Sequence, residues 1–150
     1  MKKIKWITLG LVLLIAIMQF FKPEKNQSDS VLPSDFILVE KPSASIENIL
    51  RNACYDCHSD NTIYPWYNAV TPINYWLRNH VNEGRQKLNF SSWADNDPSR
   101  KDRKMDEITA QLKKSGMPLK SYTWIHKEAR LTEDQKNEIL SWISTLNYQL

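Results

Sequence analysis

The two cysteines of this chain stand three positions apart in the segment CYDCH, with a histidine directly after the second. Cys54, Cys57 and His58 suit a redox dithiol, part of a structural zinc site, a disulfide or the attachment of a cofactor. Each possibility requires a different fold around the segment, such as a preceding strand for a dithiol or a second ligand pair for zinc. The segment therefore constrains the fold, and the rest of the chain decides between the alternatives.

The N-terminus predicts export from the cytoplasm. Lys2, Lys3 and Lys5 precede an uncharged run over residues 6–21, WITLGLVLLIAIMQFF. A basic start before an apolar run directs a chain into the membrane with its positive end in the cytoplasm. Because no small-residue cleavage site follows the run, we predict an uncleaved transmembrane anchor. A cleaved signal peptide and a buried core helix are the alternatives.

Composition and charge bound the remaining possibilities. Of 20 basic residues, three lie in the N-terminal lysine cluster, so the rest of the chain balances 17 basic against 17 acidic residues. This balance gives no electrostatic footprint for nucleic acid, and no nucleic-acid partner is predicted. We divide the chain into a membrane anchor (1–22), a polar linker (23–35) and one domain (36–150).

Apolar periodicity predicts four helices and no βαβ alternation in the domain, so its fold class is all-α. Ser43 or Ser45 caps the first helix, which runs directly into Cys54. Thr71 caps the second helix, and Pro72 takes its first helical position. The predicted apolar faces of these two helices are Ile46, Ile49, Leu50 and Ala53, and Ile73, Trp76, Leu77, His80 and Val81.

The third helix follows Asp97 and Pro98 and stops before Gly116, a good residue just past a helix end. Thr132 and Gln135 form a capping box at the start of the fourth helix. Residues 36–40, FILVE, are predicted to be an extended segment packed on the domain. The predicted apolar faces are Met105, Ile108 and Leu112 in the third helix, and Ile139, Leu140, Ile143 and Leu146 in the fourth.

An exported, all-helical domain favours one interpretation of CYDCH. No predicted strand precedes the pair, which argues against a thioredoxin-like dithiol, and the chain has no second close pair for zinc. A disulfide across so short a loop would restrict the unfolded chain little. Cys-x-x-Cys-His is the spacing of c-type haem attachment. We therefore predict one covalently attached haem c, with Cys54 and Cys57 bonded to its vinyl groups and His58 as the proximal iron ligand.

Longer runs carry a resemblance to a known family. ACYDCHSDNTIYPWYNAVTPINYWLRNHVNEGRQKLNFSSW and MPLKSYTWIHKEARLT resemble the bacterial haem-binding domain family of small membrane-anchored proteins, over about residues 36–148. The order of helix, CYDCH, loop, GMP and terminal helix is similar to that of class I cytochromes c. The resemblance implies a cytochrome c-like helical domain around the haem, and electron transfer follows by analogy of fold.

The second axial ligand of the iron has two candidates. Met117 lies between Gly116 and Pro118, in irregular backbone that can present a thioether to iron, and we predict it as the distal ligand. His80, on the apolar face of its helix, is the alternative, whereas His126 is predicted to be a surface or capping residue. An aromatic cluster forms either a wall around the haem or ordinary core: Tyr64, Trp66, Tyr67, Tyr75 and Trp76.

These predictions describe a single-pass protein of the bacterial cytoplasmic membrane whose C-terminal domain faces the periplasm or the outside. We expect it to pass single electrons between redox partner proteins, as an electron carrier and not an enzyme. Methionine as distal ligand would raise its reduction potential, and a second histidine would lower it. The alternative is a haem-based sensor or small peroxidase-like domain, which requires an iron position that is easily vacated and polar groups beside it.

Overall fold

The computed structural model describes residues 2–28 and 30–148. Its α-helices are α1 (Lys2–Met18), α2 (Phe36–Glu40), α3 (Ala44–Leu50), α4 (Asp56–His58), α5 (Ile73–Lys87), α6 (Pro98–Lys113), α7 (Lys120–Ile125) and α8 (Glu133–Ile143). A π-helical turn, Arg51–Tyr55, joins α3 to α4, and 3₁₀ turns occupy Trp66–Ala69, Phe90–Asp95 and Lys127–Ala129. The prediction of an all-α fold is confirmed.

The hydrophobic core lies between α2, α3, α6, α8 and the 3₁₀ segment Phe90–Asp95. Phe36 is central: its ring stacks on Phe90 and meets the edge of Trp93, with centroid separations of 4.9 Å in both pairs. Burying each large apolar side chain stabilises the fold by roughly 1.5–3 kcal/mol. We call the following cluster the apolar core: Phe36, Ile37, Ile46, Ile49, Leu50, Tyr55, Phe90, Trp93, Met105, Leu112, Ile139 and Ile143.

Three predicted helix starts are confirmed by their hydrogen bonds. The Ser43 side chain accepts a bond from the backbone N–H of the third residue of α3, and the Asp97 side chain accepts one from the third residue of α6. Thr132 and Gln135 form the reciprocal capping box of α8. Each such cap satisfies a backbone donor that the helix itself leaves without a partner.

The prediction of an extended segment at 36–40 is wrong, because these residues form α2. The Asp35 carboxylate accepts hydrogen bonds from the backbone N–H of Ile37 and from the hydroxyl of Tyr55, each at 3.0 Å. This cap starts a helical turn that buries Phe36 and Ile37, and Lys41 ends it in the left-handed conformation with φ 49°. Five residues are too few to show a helical period, and the cap depends on a partner 20 positions away.

The predicted apolar face of α5 is only partly right. Leu77 and Val81 are buried, and Asn74 completes their stripe. Ile73 and Trp76, predicted to share that face, are exposed. The stripe is therefore rotated relative to the prediction, so that one flank of α5 presents apolar side chains to a cleft and to solvent.

Two predicted helix boundaries differ in detail. Thr71 does not cap the backbone of α5; its hydroxyl accepts a bond from the side-chain amide of Asn74 at 2.9 Å. After α6 the left-handed residue is Ser115, with φ 52°, and not Gly116.

The predicted anchor corresponds to α1, whose apolar side chains are exposed along its length. Within residues 2–28 and 30–148, none of the helices combines the length and apolar character that a membrane crossing requires, so the span predicted for 1–22 is not confirmed. Part of the predicted linker lies on the domain. The Asn26 side-chain amide donates to the carbonyl of Ser59 at 2.7 Å and to the hydroxyl of Thr62 at 2.9 Å.

Candidate functional site

Cys54 and Cys57 are free and half-buried, at the junction of the π-helical turn with α4. π-helical turns are rare and occur frequently at functional sites. Burial, with the neighbouring Cys57, raises the pKa of Cys54 to about 12, and burial, with the nearby Asp56, raises the pKa of Cys57 to about 11. Both are thus protonated thiols at neutral pH, which argues against a reactive dithiol. Among the described residues, no cluster of three or more His, Cys, Asp or Glu side chains suits a metal ion bound by protein alone.

His58 is oriented by the last turn of α5 and by Leu88, the residue that follows the helix. Its Nδ1 lies 3.0 Å from the carbonyl oxygens of Gly84 and of Leu88. Carbonyl oxygens only accept, so Nδ1 carries the proton and the lone pair of Nε2 is left for a ligand. Burial lowers the pKa of His58, which keeps the imidazole neutral. A neutral histidine held through its other ring nitrogen is the usual arrangement of a metal-binding histidine.

Gly84 allows α5 to pass directly against the CYDCH segment. A β-carbon at this position would collide with the backbone carbonyl oxygen of Cys57 and lie 3.2 Å from the Cys57 Cβ. These contacts are tighter than side chains ordinarily make, and a backbone carbonyl has little freedom to move. The absence of a side chain at Gly84 therefore sets the distance at which its carbonyl meets His58.

Two clefts meet at His58. The first, of about 170 Å³, contains Cys57 and lies between α5 and α7; the second, of about 420 Å³, contains Cys54 and lies against α6. The second cleft alone falls within the range of roughly 300–1,000 Å³ that is typical of cofactor sites. Both clefts are lined mainly by apolar side chains, and four residues line both: Ala53, His58, Lys87 and Met117.

A third cleft, of about 450 Å³, lies between residues 24–28 and α5. Polar and charged side chains dominate its lining, among them Arg85 and Asp60, which form an ion pair. Such a surface does not suit an apolar macrocycle, and neither cysteine reaches it.

The predicted site residues are thus mostly brought together. Cys54, Cys57, His58 and Met117 line the joined clefts, Met117 from the segment between α6 and α7. His80 lines the first cleft only, where its ring packs against Trp76 with a centroid separation of 4.3 Å.

The aromatic cluster divides between several environments. Tyr67 and Trp76 line the first cleft, but Tyr64 lines the polar cleft and its hydroxyl accepts a bond from the backbone of Asn26 at 2.7 Å. Trp66 is exposed, as is Tyr75. The five aromatic residues as a group therefore form neither a wall around the haem nor an ordinary core.

Sequence reasoning missed a polar network beside the first cleft. The Tyr122 hydroxyl donates to the carboxylate of Asp56 at 2.6 Å. His126 bonds to Glu128 through Nδ1 at 3.2 Å and to the Tyr67 hydroxyl through Nε2 at 2.9 Å. His126 occupies the cap position between α7 and the turn Lys127–Ala129, as one of its two predicted alternatives has it, and its side chain belongs to this network and is not simply on the surface. The spacing of Tyr122 and His126, whose rings stack at 4.3 Å, was the available signal.

Comparison with known families decides the assignment. The family described as the haem-binding domain matches residues 13–145 of the chain. This chain belongs to the haem-binding domain family. Searches of curated proteins and of solved structures each found no match.

The residues at the joined clefts fit the family's cofactor. His58 offers an unprotonated Nε2 at the place where both cysteines and Met117 come together. The surrounding walls are mainly apolar, as a porphyrin requires, and Lys87, which lines both clefts, would supply positive charge for the carboxylates of haem. Haem is thus the cofactor of this domain.

Proposed function

We propose that the protein is a membrane-anchored, mono-haem c-type cytochrome that transfers single electrons outside the cytoplasm. The observation that carries this proposal is the arrangement of CYDCH at the joined clefts. Both thiols and the His58 imidazole reach one apolar site, and the imidazole is already fixed in the tautomer that binds iron.

The chain's own residues would hold and tune the cofactor. Each thiol S–H would add across a vinyl C=C bond, so Cys54 and Cys57 would tether the group without a leaving group. The carbonyls of Gly84 and Leu88 hold His58 and raise the basicity of its free nitrogen. Haem supplies the one-electron chemistry, and the apolar lining excludes water from it.

Met117 is proposed as the distal ligand, with His80 as the alternative. Met117 lines both clefts together with His58, whereas His80 lines one of them and packs on Trp76. Met117 also lies outside α6 and α7, so its position can adjust with the loop. A thioether ligand would give the domain a high reduction potential.

The proposed location rests on the N-terminal segment. The lysine cluster forms the first turn of α1, and the apolar side chains that follow it in α1 are exposed to a degree unusual for a soluble protein surface. A 17-residue helix is about 25 Å long, slightly less than the ~30 Å hydrocarbon core of a bilayer. Lysine side chains reaching to the interface and slight bilayer thinning accommodate such a difference.

One observation favours the second candidate, a sensor or peroxidase-like domain. Tyr67, Tyr122 and His80 line the first cleft, and side chains of these types assist ligand binding to iron. Both tyrosine hydroxyls, however, are committed to His126 and Asp56. Electron transfer is therefore the first choice, and carbon monoxide binding to the reduced protein distinguishes the two: a six-coordinate electron carrier leaves its spectrum unchanged.

Covalent attachment is the direct test. Haem should remain with the chain through denaturing electrophoresis and give a peroxidase-active band. Cys54→Ala combined with Cys57→Ala should abolish that band, and each single substitution should leave one thioether, visible as a shifted spectrum in alkaline pyridine. His80→Ala serves as the control that alters the cleft and retains the band. Haem that stays bound to the double variant after denaturation would refute the proposal.

A further inference from the structure

The cleft side of the domain carries exposed apolar side chains, most of which lie outside the lining of the haem site. Two of its tryptophans are almost fully solvent-exposed, Trp66 at 81% and Trp124 at 77%. Folded proteins rarely leave contiguous apolar patches of this kind uncovered. We define the apolar face as Ile63, Trp66, Val70, Ile73, Trp124 and Ile125.

The apolar face joins two parts of the chain that are distant in sequence. Trp66 precedes Tyr67, whose hydroxyl bonds to His126 directly after α7. Ile125 and Trp76 line the same cleft from α7 and from α5. The turn Trp66–Ala69, the start of α5 and the helix α7 are therefore neighbours around the mouth of the first cleft.

The end of α1 is fixed at this same place. The Gln19 side chain accepts a hydrogen bond from the Thr71 backbone N–H at 2.9 Å and donates one to the Thr71 carbonyl at 3.0 Å. Thr71 lies between Val70 and Ile73 of the apolar face. Phe20, directly after Gln19, is 87% exposed, so apolar surface continues from α1 towards the domain.

We infer that the apolar face lies on the lipid bilayer and that the first cleft opens toward the membrane surface. The inference rests on the proposed anchoring of α1: if α1 is in the bilayer, the Gln19–Thr71 bonds bring Val70 and Ile73 to headgroup level. Tryptophan is the side chain enriched at that level. Lys120 and Lys127 flank the apolar residues of α7 and add attraction to anionic lipid. A bilayer is favoured over a protein partner because the apolar surface is continuous with α1.

Photo-crosslinking to lipid tests this placement on the full-length haem protein. Benzoylphenylalanine replaces one residue at a time, at Trp66 or Trp124 in the apolar face, at Leu11 within α1, and at Glu133. The Glu133 side chain, at the start of α8, is 82% exposed and serves as the matched surface control. Each variant is reconstituted in vesicles of phosphatidylcholine and phosphatidylglycerol, irradiated and analysed by mass spectrometry.

Lipid adducts at Leu11, Trp66 and Trp124, with at least tenfold less at Glu133, are the expected result. Adducts at Leu11 without adducts at Trp66 and Trp124 would overturn the inference and leave the anchor intact. Absence of adducts at all four positions would overturn the anchor and the inference together. Crosslinks between two protein chains at Trp66 or Trp124, in place of lipid, would assign the apolar face to a second copy and overturn the inference.

Discussion

The apolar core buries its large aromatic side chains, whereas the cleft region leaves several of them exposed. We define the cleft region as residues 59–72, α5 and α7. Trp93 in the core has no exposed surface, and its indole N–H donates to Glu40 at 2.6 Å. Trp66 and Trp124 in the cleft region are largely exposed. The core buries its aromatic rings within the polypeptide, whereas the cleft region leaves large apolar side chains exposed. Its order comes from specific polar contacts such as Tyr122 to Asp56, each worth about 1 kcal/mol net.

Substituting one methionine in each region should produce the largest difference between the cleft region and the core. Met117→Ala should abolish the weak red charge-transfer band that a thioether gives to ferric haem and should lower the reduction potential, because the distal ligand is lost. Met105→Ala, in the core, should keep the band and lower the free energy of unfolding by about 2–5 kcal/mol. Absorption spectra and denaturant titrations read both effects. If the unmodified protein lacks the band, Met117→Ala leaves the spectrum unchanged and His80→Ala yields five-coordinate iron, the ligand is His80.

Two tryptophans provide the next comparison. Trp93→Ala should lower the free energy of unfolding by about 3–5 kcal/mol, because it empties a fully buried site against Phe36. Trp66→Ala should change the free energy of unfolding of the detergent-solubilised protein by less than about 0.5 kcal/mol. Urea unfolding followed by circular dichroism measures both. Equal losses would mean that the cleft region is packed as tightly as the core.

The two thiols lie at the boundary between the regions, and Cys54 packs against the apolar core. Raising the thiol pKa from 9.0 to about 11 in Cys57 and about 12 in Cys54 lowers their thiolate fractions at pH 8 about 100-fold and 1,000-fold. In haem-free protein, iodoacetamide should therefore label Cys57 slowly and Cys54 more slowly. Both rates should rise about tenfold per pH unit up to pH 10. Identical rates in buffer and in urea would show that the thiols are not buried without haem.

Glycine-to-alanine substitutions test the close contact between α5 and the CYDCH segment. Gly84→Ala should destabilise the domain by about 1–3 kcal/mol, because the new methyl group pushes α5 away from Cys57. This outweighs the helix propensity of alanine, which alone would stabilise by about 1 kcal/mol. Gly10→Ala is the matched control, since nothing lies within 4 Å of the added Cβ. If denaturant titrations give the same free energy of unfolding for both variants, Gly84 does not position His58.

The same division explains what the sequence could predict. Periodicity and caps located α3, α6 and α8, because their buried stripes pack into the core at regular spacing. The CYDCH segment indicated haem because the two cysteines and the histidine that would hold it lie within five consecutive residues. By contrast, α2 depends on a bond between Asp35 and Tyr55, and the first cleft depends on Tyr122 reaching Asp56 across 66 positions. Contacts of that range leave no periodic pattern in the sequence.

The double hydrogen bond between Gln19 and Thr71 also governs how the domain would meet its partners. With α1 anchored as proposed, no free tether separates the haem site from the membrane, so the domain cannot sweep through the surrounding volume. The domain would then encounter partners by two-dimensional diffusion within the bilayer plane. This raises the effective concentration of other membrane-bound proteins and makes encounters with soluble proteins comparatively rare. Short reach, more than electrostatic attraction, would then select the proteins with which it exchanges electrons.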